Sequence, residues 1–480
     1  MKTTISLERP TDHDHDDDVL VAKSARHTIL LSLTHLLYDY TTFNGEARMQ
    51  QAIRQAFMTK LQPKMRLPKG VYLSPMVRGS ELAMRELARK HGNASLAYSP
   101  MLRDHDVISL HELVFSKEDP DKQQQQHRFQ SFKELKIDKA GRTDSVEEAA
   151  YLLHETSSSD TSNLVVQLCG SSPQTLGKAT SAVLDIYHNN TATLPFGIDL
   201  NLGCPQECAK KEGFGAFLVE QDMDATISCI GSMREAIDIY CSKENRRIAI
   251  KPTLSAKIRV LDGGVDDTIV FAKKLQSAGI DFLAVHCRRR EEKHNGKPDW
   301  GAGREIVAAL PDLPVVLNGG ISCHNDVTLV MERTKCHAVM VATGYLSNHQ
   351  AFNSTIQSVD GIEANSAVEI ASQYLEMAEL YPPPSYLYIQ KHLRWIFRNS
   401  LQPEDDPSFS ASDWKDWRVK MWSFLVRPYL RSVEQFRGFL ALYVQQSGDE
   451  DRVPDSILRL VSDVTFGSVK KAGKRTAREI

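Results

Sequence analysis

Eight short apolar runs recur between Gly70 and Phe352, each followed by an amphipathic, helix-like segment, and few folds accept that alternation. The runs are Val71 to Met76, Ser95 to Tyr98, Leu164 to Leu168, Ile198 to Asn201, Leu254 to Val260, Phe282 to His286, Val315 to Asn318 and Ala338 to Ala342. Eight strand-then-helix units are what an α/β fold of the (β/α)8 TIM-barrel type requires. A doubly wound sheet is the alternative, but no run is followed by the G-x-G-x-x-G turn that a dinucleotide fold would use.

The pattern also divides the chain. Residues 1–68 carry no clear period and form an N-terminal extension, whose acidic run Asp12 to Asp18 reads as a solvated, disordered tail rather than a metal site. The barrel is expected over residues 69–358, with a polar insertion at about 116–162 between its second and third strands. Beyond it strand signals stop, and Val368 to Leu380, Tyr386 to Asn399, Trp414 to Leu425 and Val433 to Gln446 read as helices of a smaller all-helical domain, residues 359–450. On the second of these helices Ile389, Leu393, Ile396 and Phe397 share one face, and Lys391, Arg394 and Arg398 share the other. Such a basic stripe is commonly just a solvated face. With Lys470, Lys471, Lys474, Arg475 and Arg478 in a basic tail, residues 451–480, it becomes a candidate phosphate-binding surface.

Composition narrows the function classes. The chain has 480 residues, 41% of them hydrophobic and 25% charged, enough for one large core and a smaller domain. The longest apolar stretch near the N-terminus, Thr28 to Tyr40, is too short to span a bilayer and is preceded by acidic rather than basic residues, so no membrane or secretory route is expected. Eight cysteines without a C-x-x-C pair point to reduced thiols, not to a disulfide framework or a metal site.

In a barrel the chemistry lies at the C-terminal strand ends. The first run ends at Ser74, Pro75 and Met76, the third holds Gln167, and the fourth delivers Asn201 and then Cys204 on a Gly203/Pro205 turn. The fifth carries Lys257 and Arg259, the sixth ends at His286 and Arg288, the seventh at Asn318, Gly319 and Gly320, and the eighth at Gly344. Cys204 is the residue most like a reacting group; a thiol with a pKa near ~8.5 can attack, donate a proton, or simply pack as a small hydrophobe. The glycines offer backbone amides to a cofactor phosphate, and Lys257, Gln167 and His286 can hydrogen-bond a polar heterocycle. Singly, each has a plainer reading: an exposed strand face for Lys257 and Arg259, a satisfied core histidine for His286, a turn for Asn318 to Gly320. Their joint placement on strand ends favours one shared site.

These residues resemble the flavin-dependent tRNA-dihydrouridine synthase family. The resemblance rests on Ser74 to Val77 with Glu81 to Arg85, Tyr98 to Leu102, Val166 to Leu168, Asp199 to Gln206, Gly213 to Leu218, Lys257 to Arg259, His286 to Arg288, Asp299–Trp300 and Asn318 to Ile321. It spans about residues 70–355, with a weaker match at His392–Leu393. The form Asn201 to Gln206, followed by Ala209 to Lys211 and Gly213 to Ala216, most resembles the eukaryotic branch acting on uridines 16 and 17 of the tRNA D-loop. The resemblance implies FMN on the barrel, reduced by NADPH, with hydride passing to C6 of a flipped-out uracil and Cys204 protonating C5. It implies that Pro75, Met76, Gln167, Lys257, His286, Asn318, Gly319 and Gly344 line FMN and that Asn201 and Arg259 hold the uracil, with Arg288 beside them. The basic face of the helical domain would grip tRNA.

The chain also departs from the family. Thr343–Gly344–Tyr345 stands where many members place Gly-Arg, so the FMN phosphate is expected to rely on backbone amides. An extra Lys251–Pro252 precedes the fifth run, and a strand registered on Lys251 would displace Lys257 from the site. Rival readings are a small-molecule pyrimidine-reducing flavoprotein, which would not need the basic helices, a tRNA-binding protein without catalysis, and a Schiff-base aldolase using Lys257. A monomer in the cytoplasm, the nucleus or both is expected, with no metal.

Overall fold

The computed structural model describes residues 67–115, 145–154, 162–242, 248, 250–293, 295–353, 367–401, 417–426 and 430–447. The acidic N-terminal run, the Lys470 to Arg478 tail and the parts of the 116–162 insertion other than 145–154 and Ser162 lie outside those residues.

The strands are β1 Gly70–Leu73, β2 Ala94–Tyr98, β3 Leu102–Arg103, β4 Leu164–Cys169, β5 Gly197–Leu202, β6 Thr253–Arg259, β7 Phe282–His286, β8 Val315–Asn318 and β9 Ala338–Val341. All pair in parallel, and β1 pairs with both β2 and β9 while β2 also pairs with β4, which closes an eight-stranded barrel. The two-residue β3 is an addition that the apolar pattern does not reveal. Pro100 has no N–H for the ladder, so the chain leaves β4 after Tyr98 and rejoins it at Leu102 opposite Leu168.

Strand alternation sorts the side chains. Val166, Leu168, Ile198, Leu200, Leu254, Ile258, Val285 and Leu317 point outward into the layer shared with the surrounding helices. Tyr72, Leu96, Val165, Phe282, Val316 and Met340 fill the interior. Register then stacks the polar members: Gln167 lies beside Asp199 and Asp199 beside Ser255, while Asn201 lies beside Lys257. Arg259, His286, Asn318 and Met340 form the next row toward the mouth. This register fixes Lys257 rather than Lys251 in the interior row; Lys251 instead pairs with Asp238 on the outer helix Met223–Ser242.

The 116–162 segment is not wholly a polar insertion. Its residues Ser145–His154 form a helix in which Ala149, Ala150, Leu152 and Leu153 are buried in the barrel's outer layer. It packs against Asp104–Phe115 and the helix Pro173–Thr191, as their apolar spacing of three to four residues allows.

Four longer helices follow: Ala367–Leu380, Tyr386–Ile396, Trp417–Val426 and Val433–Ser447. The expected single helix from Tyr386 to Asn399 is broken at Phe397, which is fully buried against Phe439 and Tyr443 at ring distances of 5.5 and 4.7 Å. Arg398–Leu401 is therefore a separate turn. These helices belong to the same compact unit as the barrel. Their seam contains a buried histidine–carboxylate contact: His392 Nε2 lies 2.9 Å from Glu81 Oε1, which also accepts a hydrogen bond from the Tyr374 hydroxyl at 3.0 Å.

Candidate active site

A cavity of about 560 Å³ opens at the C-terminal ends of the strands, where a barrel scaffold displays its chemistry. Its lining includes every strand-end residue singled out from the sequence except Gly344: Pro75, Met76, Gln167, Asn201, Cys204, Lys257, Arg259, His286, Arg288, Asn318, Gly319 and Gly320. Gly344 sits in the short helix Thr343–Ser347, where a Cβ would lie 2.7 Å from the Ile321 carbonyl oxygen and 2.8 Å from Phe352 Cζ. Packing therefore accounts for the missing side chain; Ala342 and Thr343 line the cavity in its place.

Cys204 is held by a chain of hydrogen bonds rooted in the barrel interior. Ser255 Oγ and Gln167 Nε2 donate to the two oxygens of buried Asp199 at 2.6 and 2.8 Å. Gln167 Oε1 accepts from Asn201 Nδ2 at 2.9 Å, and Asn201 Oδ1 accepts from the backbone N–H groups of Gly203 and Cys204 at 3.2 and 3.0 Å. Gly215, at φ +66°, closes the turn from the other side; a Cβ there would stand 2.9 Å from the Cys204 carbonyl oxygen. Asn201 thus shapes the thiol's turn, and Asp199, which the sequence presents only as part of a motif, anchors the whole chain of bonds.

The local electrostatics favour a protonated thiol. Burial pushes the Cys204 pKa above its ordinary value, outweighing the Gln206 backbone N–H and the cations Arg259 and Lys257. Lys257 moves the other way: burial, then Arg259, lower its pKa to about 8 against the pull of Asp199. Asp199 is raised to about 6 by burial, despite the Ser255 and Gln167 hydrogen bonds and Lys257.

Arg259 lines the cavity, yet its guanidinium is a clamp. Nε donates to the Gly203 carbonyl at 2.9 Å, and Nη1 donates to the carbonyls of Lys293 and Arg289 at 2.9 and 3.2 Å. It ties the Cys204 turn to the loop after β7, and Arg290 of that loop stacks over Phe217 at 5.1 Å. His286 Nε2 is 3.1 Å from Arg288 Nη1, and Asn318 Nδ2 donates to Met340 O at 2.7 Å. Gly319 and Gly320 both have positive φ; a Cβ on Gly319 would meet His286 Cδ2 at 2.9 Å, so the lack of a side chain is required there. The Trp300 indole N–H fixes the same turn through the Gly319 carbonyl at 3.1 Å.

The opposite wall comes from the helix Tyr386–Ile396, whose Leu387, Lys391, Arg394 and Trp395 line the cavity. Lys391 Nζ donates to the Val77 carbonyl. Arg398, expected on the same face, lies past the helix end, is not in the lining, and stacks over Trp395 at 5.3 Å. Sequence reasoning missed Arg78 and Trp395; Arg78 sits two residues beyond the Pro75–Met76 strand end, the one signal that could have found it.

The mouth fits a flavin-sized heterocycle. Its volume lies within the roughly 300–1,000 Å³ of cofactor sites, apolar Met76, Met340 and Val341 border the Lys257 ammonium and the His286 imidazole, and the Gly319–Gly320 turn is bare of side chains. Among the described residues no His/Cys/Asp/Glu cluster is arranged to hold a metal ion, and no helix is long and apolar enough to cross a membrane.

Comparison with known proteins agrees with this architecture. Residues 141–417 match the family described as Dihydrouridine synthase (Dus). The chain is 28% identical over 333 residues to the tRNA-dihydrouridine(16/17) synthase-like protein of Rattus norvegicus, covering 69% of this chain and 60% of that protein. It is 31% identical over 284 residues to the tRNA-dihydrouridine(16/17) synthase of Saccharomyces cerevisiae, covering 58% and 53%. A tRNA-dihydrouridine(20a/20b) synthase-like protein of Homo sapiens is 27% identical over 339 residues, covering 70% and 85%. The chain thus spans between half and two thirds of the length of the 16/17 relatives. With more than half of its sequence matched to the family and the strand-end residues of its barrel gathered around one cavity, the chain belongs to the dihydrouridine synthase family.

Proposed function

We propose that this protein is an NADPH-dependent, FMN-using tRNA-dihydrouridine synthase that reduces the C5–C6 double bond of a D-loop uridine at position 16 or 17. The observation that carries the reading is the placement of the Cys204 thiol, whose pKa burial raises, on a turn built by Asn201 at the edge of a cavity that also holds Lys257 and His286. FMN, when bound and reduced by NADPH, supplies the hydride for C6. Cys204 gives its proton to C5 and is left as a thiolate that solvent reprotonates, so one hydride and one proton saturate the ring. Lys257 and His286 hydrogen-bond the flavin ring, with Lys257 balancing negative charge on it. Gln167 offers only its second amide hydrogen, since its other hydrogen and its oxygen serve Asp199 and Asn201. Pro75 and Met76 border the flavin, while the backbone of Asn318 to Gly320 and of Ala342 and Thr343 receives its phosphate.

In this reading residues 69–358 are the flavin-binding barrel, residues 359–450 present Lys391 and Arg394 to tRNA, and the enzyme works in the cytoplasm, the nucleus or both. The reacting uridine must leave its stack to reach a cavity of this depth. The test is NADPH-dependent dihydrouridine formation on unmodified tRNA, with Cys204→Ala beside the wild type. We expect product formation to fall by about 10²–10⁴-fold, the range of general acid catalysis, while NADPH still reduces the flavin. A Cys204→Ala enzyme that forms dihydrouridine at the wild-type rate removes the proton-donor role; a wild type that reduces free pyrimidines but not tRNA removes the substrate.

A further inference from the structure

Across the barrel from Cys204, the cavity wall contains a group that uracil reduction itself does not use. Cys204 follows β5, and in the closed strand order β5 stands opposite β9, next to β1. The helix Tyr386–Ile396 packs over that far side, with Lys391 bonded to the Val77 carbonyl just beyond β1 and with contacts to the helix Thr343–Ser347 after β9. Along it, Leu387 and Lys391 are four residues apart, Arg394 and Trp395 follow Lys391 by three and four, and the four form one stripe toward the cavity. Ile389 and Leu393, on the other face, are buried, and His392 is buried against Glu81 at the seam with the barrel. Trp395 is half-buried and borders open space, so the bundle's core does not explain an indole at this position. Arg398 stacks over its ring at 5.3 Å and holds it in place, which lowers the ordering cost of packing a second planar group against it.

We propose that Trp395 is a stacking platform for a nucleobase adjacent in sequence to the uridine being reduced, with Arg394, Lys391 and Arg78 meeting the phosphates on either side of it. The proposal rests on the tRNA reading above and deepens it. A base extruded into the cavity pulls its neighbours out of their own stack, and an aromatic ring at the rim restores a π-contact for one of them. The positions divide the work: the thiol and the ring are on opposite sides of the mouth, so the base on Trp395 is not the base that Cys204 protonates. Stacking tolerates any base, so the contact registers the strand without reading its sequence.

The experiment is a cycle on the flavin-loaded full chain. Affinity for unmodified tRNA is measured for wild type, Trp395→Ala and Trp395→Phe, and for tRNAs carrying an abasic site immediately 5′ or 3′ of the target uridine. Trp395→Ala is expected to weaken binding by about five- to a hundredfold, the span of base–aromatic stacking. Trp395→Phe should retain most of the affinity. One of the two abasic tRNAs should bind the wild type weaker by a similar factor yet bind Trp395→Ala no worse than intact tRNA does. The salt slope should be the same for wild type and Trp395→Ala, because no charge is removed. Equal affinities for wild type and Trp395→Ala, or abasic losses that add fully to the Trp395→Ala loss, overturn the platform even if dihydrouridine is still made. A loss of NADPH-driven flavin reduction without tRNA, with tRNA affinity unchanged, would assign the ring to the dinucleotide instead and also overturns it. A wild type that does not bind tRNA removes both this inference and the reading beneath it.

Discussion

The two sides of the cavity are built by opposite rules. On the side of β4, β5 and β6, the polar groups satisfy one another: Ser255, Asp199, Gln167 and Asn201 bond in sequence at 2.6–2.9 Å and end on the Cys204 backbone N–H. On the helical side Arg78, Lys391 and Arg394 crowd together as like charges. Lys391 is lowered to about 8 by burial, against Glu81 and with help from Arg78 and Arg394, and Arg394 is lowered by burial and Arg78. A satisfied network fixes geometry and asks nothing of a ligand. A cluster of cations carries unspent repulsion that an anionic ligand relieves. In the proposed reading, the first arrangement positions a reacting atom and the second meets a polyanion.

The seam between the two sides is where the contrast is easiest to break. Glu81 and His392 are both essentially fully buried, and removing one member of such a pair typically costs about 3–5 kcal/mol. Glu81→Ala is therefore expected to lower the melting temperature more than Asn201→Ala, Lys257→Met or Arg394→Met. The sign with pH follows from Glu81: burial pushes its pKa up, but the His392 charge, its hydrogen bonds and Tyr374 bring it below the ordinary 4.5. Its stabilisation is complete above 4.5 and is lost as pH falls below that value, so wild-type stability should drop there and the variant should show less of that drop. An unchanged melting temperature in Glu81→Ala at neutral pH would mean that the helical wall is not held by this pair.

Asn201→Ala tests the geometric side. It leaves the Gly203 and Cys204 N–H groups without their acceptor, and a displacement of about 1 Å at a reacting group can cost ~10²-fold in rate. Turnover should fall by about that factor with tRNA affinity unchanged. A variant that loses affinity and keeps turnover would reverse the roles assigned to the two sides.

That asymmetry also governs what the sequence reveals. The strand-end side is legible because alternation and parallel register are local rules: once β5 and β6 are recognised, Asn201 must lie beside Lys257. Asp199 is visible as a motif residue but not as an anchor, since its partners Gln167 and Ser255 come from strands 32 and 56 residues away. The helical side is half legible. Periodicity places Lys391 and Arg394 on one face, but Phe397 is drawn into the bundle by Phe439 and Tyr443, so the helix ends early and Arg398 leaves the stripe. Trp395 escapes notice because an indole beside Ile396 looks like core, although its spacing of four from Lys391 puts it on the face that lines the cavity. Arg259 reads as a substrate contact because its three carbonyl partners lie on loops whose course no pattern predicts.

Two smaller effects sharpen the division of labour. If Lys257 balances charge on a flavin ring, flavin affinity should fall as pH rises through about 8, becoming roughly tenfold weaker for each further unit as the proton is lost. Lys257→Met should bind flavin more weakly at neutral pH and show no such titration. A wild-type affinity flat between about pH 7 and 9 removes the charge-balancing role.

The smallest effect separates the two sides most cleanly. Each phosphate contact contributes about 0.7–0.9 to the slope of log affinity against log salt. Arg394→Met, on the wall of like charges, should lower the slope for tRNA by about that amount and weaken binding most at low salt, because the released counterions are fewer. Lys257→Met removes one positive charge too, but from the row beside Asn201 inside the barrel, where no tRNA phosphate is expected to reach. Its slope should match the wild type. Both variants delete one unit of charge, so net charge alone predicts equal slopes for them; a difference of about one phosphate between them is evidence that position decides, and equal slopes would mean that the two sides of the cavity do not differ as their structures suggest.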